Sequence, residues 1–174
     1  DDTLGLPIAK TVSTPNGNML EYTQYSYDTA GNVITEKNWR EKESDGTGTY
    51  TGTNYIYENR VRLVQVQKYL SALSSRQSLP EMTDSNANDF AVTNYEYVTD
   101  NPIKGLVGKI VYPEQYTGSS ADKGWVYTYD SKGNLTSVTN PESTAANEII
   151  ETFEYNNFGW VSKHTSGEGT VTEY

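Results

Sequence analysis

A strand-and-turn signature that returns five times, centred on Tyr27, Tyr57, Tyr97, Tyr129 and Tyr155, constrains this chain more than any other feature. Its clearest copies are Tyr25-Ser26-Tyr27-Asp28-Thr29-Ala30-Gly31-Asn32-Val33 and Tyr127-Thr128-Tyr129-Asp130-Ser131-Lys132-Gly133-Asn134-Leu135, which agree at both Tyr, the Asp, the Gly and the Asn. Looser copies carry Tyr55 with Tyr57, Tyr95 with Tyr97, and Phe153 with Tyr155 and Gly159. A repeat array buries its apolar faces against neighbouring repeats, so recurring residues are candidates for scaffold first and chemistry second.

The composition agrees with a thin structure. At 34% hydrophobic residues and a mean hydropathy of -0.72, the 174-residue chain has little material for a thick core. Its 15 Tyr against 3 Phe and 3 Trp suit a sheet with two partly solvated faces, because a phenol buries its ring and keeps its hydroxyl wet or bonded. The absence of Cys removes disulfides, thiolate metal sites and Cys nucleophiles, and His164 alone cannot make a zinc site, so no metal or cofactor is expected.

A formal charge of -10 argues against nucleic acid as a partner, since phosphate binders need clustered cations. Asp45, Glu58, Asp84, Asp89, Asp122 and Glu148 are scattered and read as solvated surface. No run is long enough to cross a bilayer, so membrane insertion is not expected. The opening Asp1-Asp2-Thr3-Leu4-Gly5 is no signal peptide, which would put any export signal outside this chain.

Alternation with period two dominates the chain. Strands are expected at 8–12, 19–27, 33–39, 50–57, 61–69, 90–97, 105–112, 125–129, 134–139, 149–155, 160–164 and 170–174. Turns are expected at Pro15-Asn16-Gly17-Asn18, Asp28 to Asn32, Asp45-Gly46-Thr47-Gly48, Glu58-Asn59-Arg60 and Ser166-Gly167-Glu168-Gly169, with a loop from Pro141 to Asn147. The Tyr57 copy lacks the Gly-Asn pair. Residues 70–89 break the rhythm as an inserted loop, with a helical turn ahead of Pro80, and are the best candidate for a grafted feature. Motif tyrosines fall 30, 40, 32 and 26 residues apart, as in a hairpin array whose connections accept insertions. Residues 1–174 thus read as one array of about five repeats. Leu4-Gly5-Leu6-Pro7-Ile8-Ala9-Lys10 matches the segment Gly105-Leu106-Val107-Gly108-Lys109-Ile110, and Val171-Thr172-Glu173-Tyr174 looks like the start of another copy, so the chain is expected to belong to a longer array.

Tyr25 and Tyr27, like Tyr127 and Tyr129, sit two apart and project from one strand face, where stacked repeats would line the rings into a ladder. Asp28 or Asp130 can accept from turn amides, Gly31 or Gly133 supplies positive φ, and Asn32 or Asn134 bonds locally. In the last copy Phe153 replaces the first Tyr and Asn156 the Asp, preserving shape while changing chemistry, which favours architecture over catalysis.

These residues resemble the tyrosine-aspartate (YD) repeats of the Rhs family, found in bacterial polymorphic toxins, the cocoon component of insecticidal toxin complexes, wall-associated proteins and teneurins. The resemblance implies an all-β, antiparallel β-hairpin strip, curved or spiralling into a shell that in toxins encloses a C-terminal effector. The chain lacks the Asp-Pro-x-Gly-x-Arg boundary motif of the toxin shells, so payload release is not implied.

Other constellations have plainer readings. Asp28-Thr29-Ala30-Gly31 is one residue too long for an aspartic-protease loop, Asp45-Gly46-Thr47-Gly48 lacks the alternating oxygens of a calcium loop, and His164 has no nucleophile-elbow context and reads as an exposed strand residue. Trp39, Tyr116, Trp125 and Trp160 could stack sugar rings, with inter-repeat packing as the competing role. Asn134-Leu135-Thr136 is a glycosylation sequon, but its Asn belongs to the turn signature.

The expected protein is therefore a non-enzymatic structural segment of a large secreted or cell-surface repeat protein. Its partners would be flanking repeats and an enclosed effector. The rival is an autonomous module binding glycan or protein through residues 70–89 and the exposed aromatics. Unpaired strand edges at the first and last hairpins predict weak head-to-tail self-association.

Overall fold

The structure is a computed structural model that describes residues 4–17, 19–42, 46–144, 147 and 149–174, the side chain of Glu41 excepted. Asn18, Asp45 and Glu148 lie outside the described residues, as do Asp1-Asp2-Thr3, residues 43–44 and residues 145–146 of the Pro141-to-Asn147 loop.

The chain forms two compact units, Asp1–Val92 and Thr93–Tyr174. The first contains β1 (Ala9–Ser13), β2 (Met19–Tyr27), β3 (Val33–Lys42), β4 (Gly48–Glu58), β5 (Arg62–Tyr69) and β6 (Leu73–Ser74). β7 (Phe90–Tyr97) runs through the boundary between the units. The second continues with β8 (Val107–Val111), β9 (Trp125–Tyr129), β10 (Leu135–Thr139), β11 (Ile150–Tyr155), β12 (Val161–Thr165) and β13 (Val171–Glu173). Within each unit consecutive strands pair antiparallel in chain order, and β6 pairs with β4. The twelve strands expected from alternation are all present, each within a few residues of its expected span.

Little side chain is sealed from water, as the composition requires. In the first unit Tyr50, Leu73, Phe90 and Val92 are buried, with Tyr69 and Phe90 rings 5.2 Å apart; in the second, Val111 is buried. Residues 70–89 are closed at their base by the Leu70 N–H to Asp89 carbonyl bond (2.9 Å) and fold back onto β4. Tyr50, Gly52 and Asn54 share one face of β4 and receive this strap. The Tyr50 hydroxyl donates to the Gln77 carbonyl (2.6 Å), Asn54 Nδ2 donates to the Pro80 carbonyl (3.1 Å), and Leu79 fills the space over Gly52, where an added Cβ would lie 2.4 Å from its Cδ1.

The helical turn expected ahead of Pro80 is not there. Gln77 Oε1 instead accepts from both the N–H and the hydroxyl of Ser74, making a tight turn, and Leu79 precedes a proline, which disfavours helix. The short 3-10 segment lies later, at Ala87–Asp89.

Candidate functional site

The five signature copies build one recurring hairpin. In each, the first aromatic faces the residue at a fixed distance beyond the turn: Tyr25 faces Glu36, Tyr55 faces Val66, Tyr95 faces Ile110, Tyr127 faces Val138 and Phe153 faces His164. A bulge follows, and the second Tyr then faces Val33, Leu63, Val107, Leu135 or Val161 in turn. The inserted residue steepens the local twist and fixes register, because a one-residue slip would turn every side chain to the wrong face.

The turns explain which residues recur. Asp28 Oδ1 accepts from the N–H groups of Ala30 (2.8 Å) and Asn32 (2.9 Å), and Oδ2 from Asn32 Nδ2 (2.8 Å). Asp130 repeats this with Lys132, Asn134 and Asn134 Nδ2 at 2.8, 2.9 and 2.8 Å. In both, the Gly N–H bonds the Asp carbonyl and the Gly takes a φ near +90°, the tight turn followed by a left-handed residue that joins strands through a bulge. These donors, the Asn side chain foremost, hold both carboxyls below the ordinary carboxylate range. Asn156 substitutes through its carbonyl oxygen, accepting from Phe158 and Trp160 N–H at 2.9 and 3.1 Å. The Tyr57 copy dispenses with Gly because Asn59 and Arg60 both take positive φ, closed by Val61 N–H to the Glu58 carbonyl.

The second tyrosine is a strand-to-strand tie. Tyr27 donates its hydroxyl to the Pro7 carbonyl (2.5 Å), Tyr129 to Val107 (2.8 Å) and Tyr155 to Leu135 (2.8 Å). Each acceptor lies at or just before the start of the preceding strand. Leu6 lies against Gly31 and Leu106 against Gly133, at 3.5 and 3.8 Å from where a Cβ would stand, and Asn32 Nδ2 also donates to the Arg60 carbonyl of the next turn (2.6 Å). The likeness between the segments around Gly5 and Gly105 is thus the acceptor half of a joint whose donor half is the Tyr-Asp signature. Sequence reasoning noted that likeness and missed its role.

The tyrosine ladder takes a different form from ring on ring. Ring contacts among the described residues include Tyr22 with Trp39, Trp39 with Tyr50, Tyr69 with Phe90, Phe153 with His164 and Phe158 with Trp160. Tyr55 donates to Glu36 Oε2 (3.3 Å), and burial, then the Glu36 charge, pushes its hydroxyl up to about 12. Burial also raises Tyr57, Tyr127 and Tyr129.

The aromatics proposed for sugar stacking divide between the two units, Trp39 in the first and Tyr116, Trp125 and Trp160 in the second. Trp39, in the first unit, sits between Tyr22 and Tyr50 and donates Nε1 to Gln24 (2.8 Å), while Lys42 covers the Tyr22 ring at 3.4 Å. In the second unit Trp125 opens β9 and Tyr116 lies in the loop before it, whereas Trp160 precedes β12, at the opposite end of the strands, beside Phe158.

Two readings change. Asp122 is buried, not solvated: its carboxylate accepts from Thr117 N–H (2.7 Å), the Thr117 hydroxyl and Gly118 N–H (3.1 Å), organising the loop ahead of Trp125. The Thr117 hydroxyl above all lowers its pKa. His164 is half-buried, stacked on Phe153 at 4.9 Å with Nε2 3.5 Å from Glu151, because the register sets it opposite an aromatic. Strap residues Glu81 and Met82 border a cavity of about 370 Å³ lined below by Ile34, Asn54, Tyr55, Ile56 and Gln67. Among the described residues no group of three or more His, Asp or Glu converges as a metal site, and no helix is long and apolar enough to cross a membrane.

An antiparallel array of bulged hairpins tied by tyrosine hydroxyls defines the class of protein. Residues 129–171, from Tyr129 through the Asn156 turn to Val171, match the family model RHS Repeat, and this stretch belongs to that family. Curated proteins give no match. Solved structures similar to the chain include TcdB2-TccC3 (16% identity, 95% of this chain and 10% of that chain, TM-score 0.38). Two others are TcdB2-TccC3-TEV (18%, 94% and 10%, 0.42) and TcdB2-TccC3-Cdc42 (15%, 91% and 10%, 0.30). The chain spans about a tenth of the length of these structures.

Proposed function

We propose that this chain is a structural segment of a secreted or surface-associated RHS-repeat protein, one stretch of a β-shell or scaffold that encloses or displays another domain. The observation that carries this reading is the fate of the signature residues: Asp28, Asp130, Tyr27, Tyr129 and Tyr155 spend their polar groups on their own turns and on the preceding strand. A residue type that recurs because it closes a joint is a scaffold residue, and the role is accordingly non-enzymatic. Flanking repeats of the same polypeptide are the first partners, and an enclosed effector the second.

The test is mass spectrometry of the native polypeptide in its producing cells, combined with limited proteolysis. The expected result is a product with further Tyr-Asp repeats and a domain that resists protease until the array is unfolded. A product without further repeats, or a neighbouring domain cleaved as fast as free chain, would overturn the proposal.

A further inference from the structure

The strap of residues 70–89 roofs a cavity whose polar lining is of one kind. Asn54 and Gln67 face each other across β4 and β5, and Ile56, two residues on from Asn54, shares their face. Ile34 joins them from β3, as the extra residue of the bulge between Val33 and Thr35. Glu81 and Met82 of the strap stand over this floor. Together these residues line about 370 Å³, a volume within the range of small-molecule pockets.

Hydrogen bonds fix the roof on both sides of Glu81. The Pro80 carbonyl accepts from Asn54 Nδ2 (3.1 Å), the Glu81 carbonyl accepts from Asn86 Nδ2 (3.1 Å), and Thr83 N–H donates to Asn86 Oδ1 (2.6 Å). The Glu81 side chain is exposed, and among the described residues no Lys, Arg or His pairs with its carboxylate. No cationic residue lines the cavity either. Asn54 and Gln67 already donate through their amide nitrogens, to the Pro80 carbonyl and to Gln65 Oε1, so their carbonyl oxygens are the atoms they can turn to a guest. Gln67 is only 7% exposed, and a donor brought to its oxygen gains more there than it would at the surface.

We propose that the cavity between the strap and β3, β4 and β5 binds a small primary alkylammonium, its cation held by Glu81, Asn54 and Gln67 and its alkyl chain by Ile34, Ile56 and Met82. An ammonium carries three donors and no acceptor, which matches a carboxylate and two amide oxygens, and charge-assisted hydrogen bonds of this kind are the strong ones. The apolar side chains give the alkyl chain a place out of water; Ile56 is 42% exposed and loses that contact with solvent when the guest binds. An organic anion would meet the Glu81 charge, and an alcohol would bring one donor to three acceptors. The chain's net charge of -10 favours the approach of a cation. The site lies wholly within the first unit and is independent of what the array encloses.

The test is an NMR titration of the isotope-labelled full chain with hexylamine, protonated at neutral pH, and with hexanoate and hexanol as probes of matched length. The side-chain amide signals of Asn54 and Gln67 and the Met82 methyl should shift saturably with hexylamine and stay in place with hexanoate at the same concentrations. Hexanol, which lacks the charge, and methylamine, which lacks the chain, should each bind at least tenfold more weakly. Glu81→Gln should weaken hexylamine at least tenfold and Met82→Ala severalfold. Glu81 is exposed and its bond to Asn86 is made by the backbone, so Glu81→Gln stays folded. Tighter binding of a capped lysine peptide than of hexylamine would assign the cavity to a protein side chain and overturn the free-amine proposal. Shifts that do not saturate, an equal response to hexanoate, or hexylamine binding unchanged in Glu81→Gln would overturn it as well.

Discussion

The strands of this protein have two kinds of ends. At one, β2 to β3, β9 to β10 and β11 to β12 are joined by short turns at 28–32, 130–134 and 156–160 with the same hydrogen bonds; at the other, β5 to β7 and β8 to β9 are joined through 70–89 and 112–124. The short turns are bound by their neighbours. The second tyrosine must find a carbonyl in the preceding strand, and the turn glycine must leave room for the residue that reaches it, so the sequence repeats. The long connections owe nothing to adjacent copies, and each has its own solution: Leu79 over Gly52 in one, buried Asp122 in the other. Repetition in sequence therefore marks where a copy touches the next copy.

Crowding the long-connection end gives the largest effect. A Cβ on Gly124 would stand 2.5 Å from the Ile110 carbonyl oxygen, so Gly124→Val should cost about 1–3 kcal/mol in chemical denaturation, since overpacking forces backbone to shift. A smaller cost would mean that β8 and β9 are held loosely. At the signature end, Tyr27→Phe, Tyr129→Phe and Tyr155→Phe should each lose about 0.5–1.5 kcal/mol, the net worth of one hydrogen bond. Tyr50→Phe should lose a similar amount at the strap, detected as faster proteolysis within 70–89. If the three signature changes were silent and Tyr50→Phe were not, the contrast between the ends would reverse.

How much of this was legible follows from the same contrast. Alternation placed the strands and Asp-x-x-Gly-Asn placed the turns, because those constraints act over a few residues. The Pro7, Val107 and Leu135 acceptors were hidden, since a backbone carbonyl carries no sequence signature and the Gly5 and Gly105 likeness hinted only at location. Asp122 and His164 were misjudged because burial depends on partners: Thr117 loops back onto Asp122, and the register delivers Phe153 to His164. The fold of 70–89 was out of reach because Leu79 finds Gly52 across the chain. The ring contacts of Trp39 were hidden for the same reason, since the pairing register sets it opposite Tyr22 on one side and Tyr50 on the other.

Titration sharpens the comparison among the turns. Asp28 and Asp130 have carboxyls lowered in the folded state, so they stabilise it above the ordinary carboxylate range and lose that contribution as pH falls through their folded values. The Asn156 turn has no such group. Side-chain carbon shifts from NMR should titrate below the ordinary Asp value for Asp28 and Asp130, while the Phe158 and Trp160 amides stay unchanged through that range. Tyr55 has the opposite sign. Its pKa is raised to about 12, so its contribution is full below the ordinary phenol value and is lost as pH climbs towards 12, which phenolate absorbance will follow. The smallest effect belongs to the exposed Lys163–Glu154 pair on β12 and β11, where Lys163→Ala should leave the denaturation midpoint nearly unchanged, because solvent screens an exposed ion pair.

The most direct test of the architectural reading is amide hydrogen exchange at Asn32, Asn134 and Trp160, whose N–H groups are held by Asp28, Asp130 and Asn156. Slow exchange at all three, lost at Asn134 alone in Asp130→Ala while β9 and β10 stay protected, is the predicted result. Exchange as fast as in exposed loop backbone, or no change in Asp130→Ala, would contradict the claim that the signature is the joint of the array.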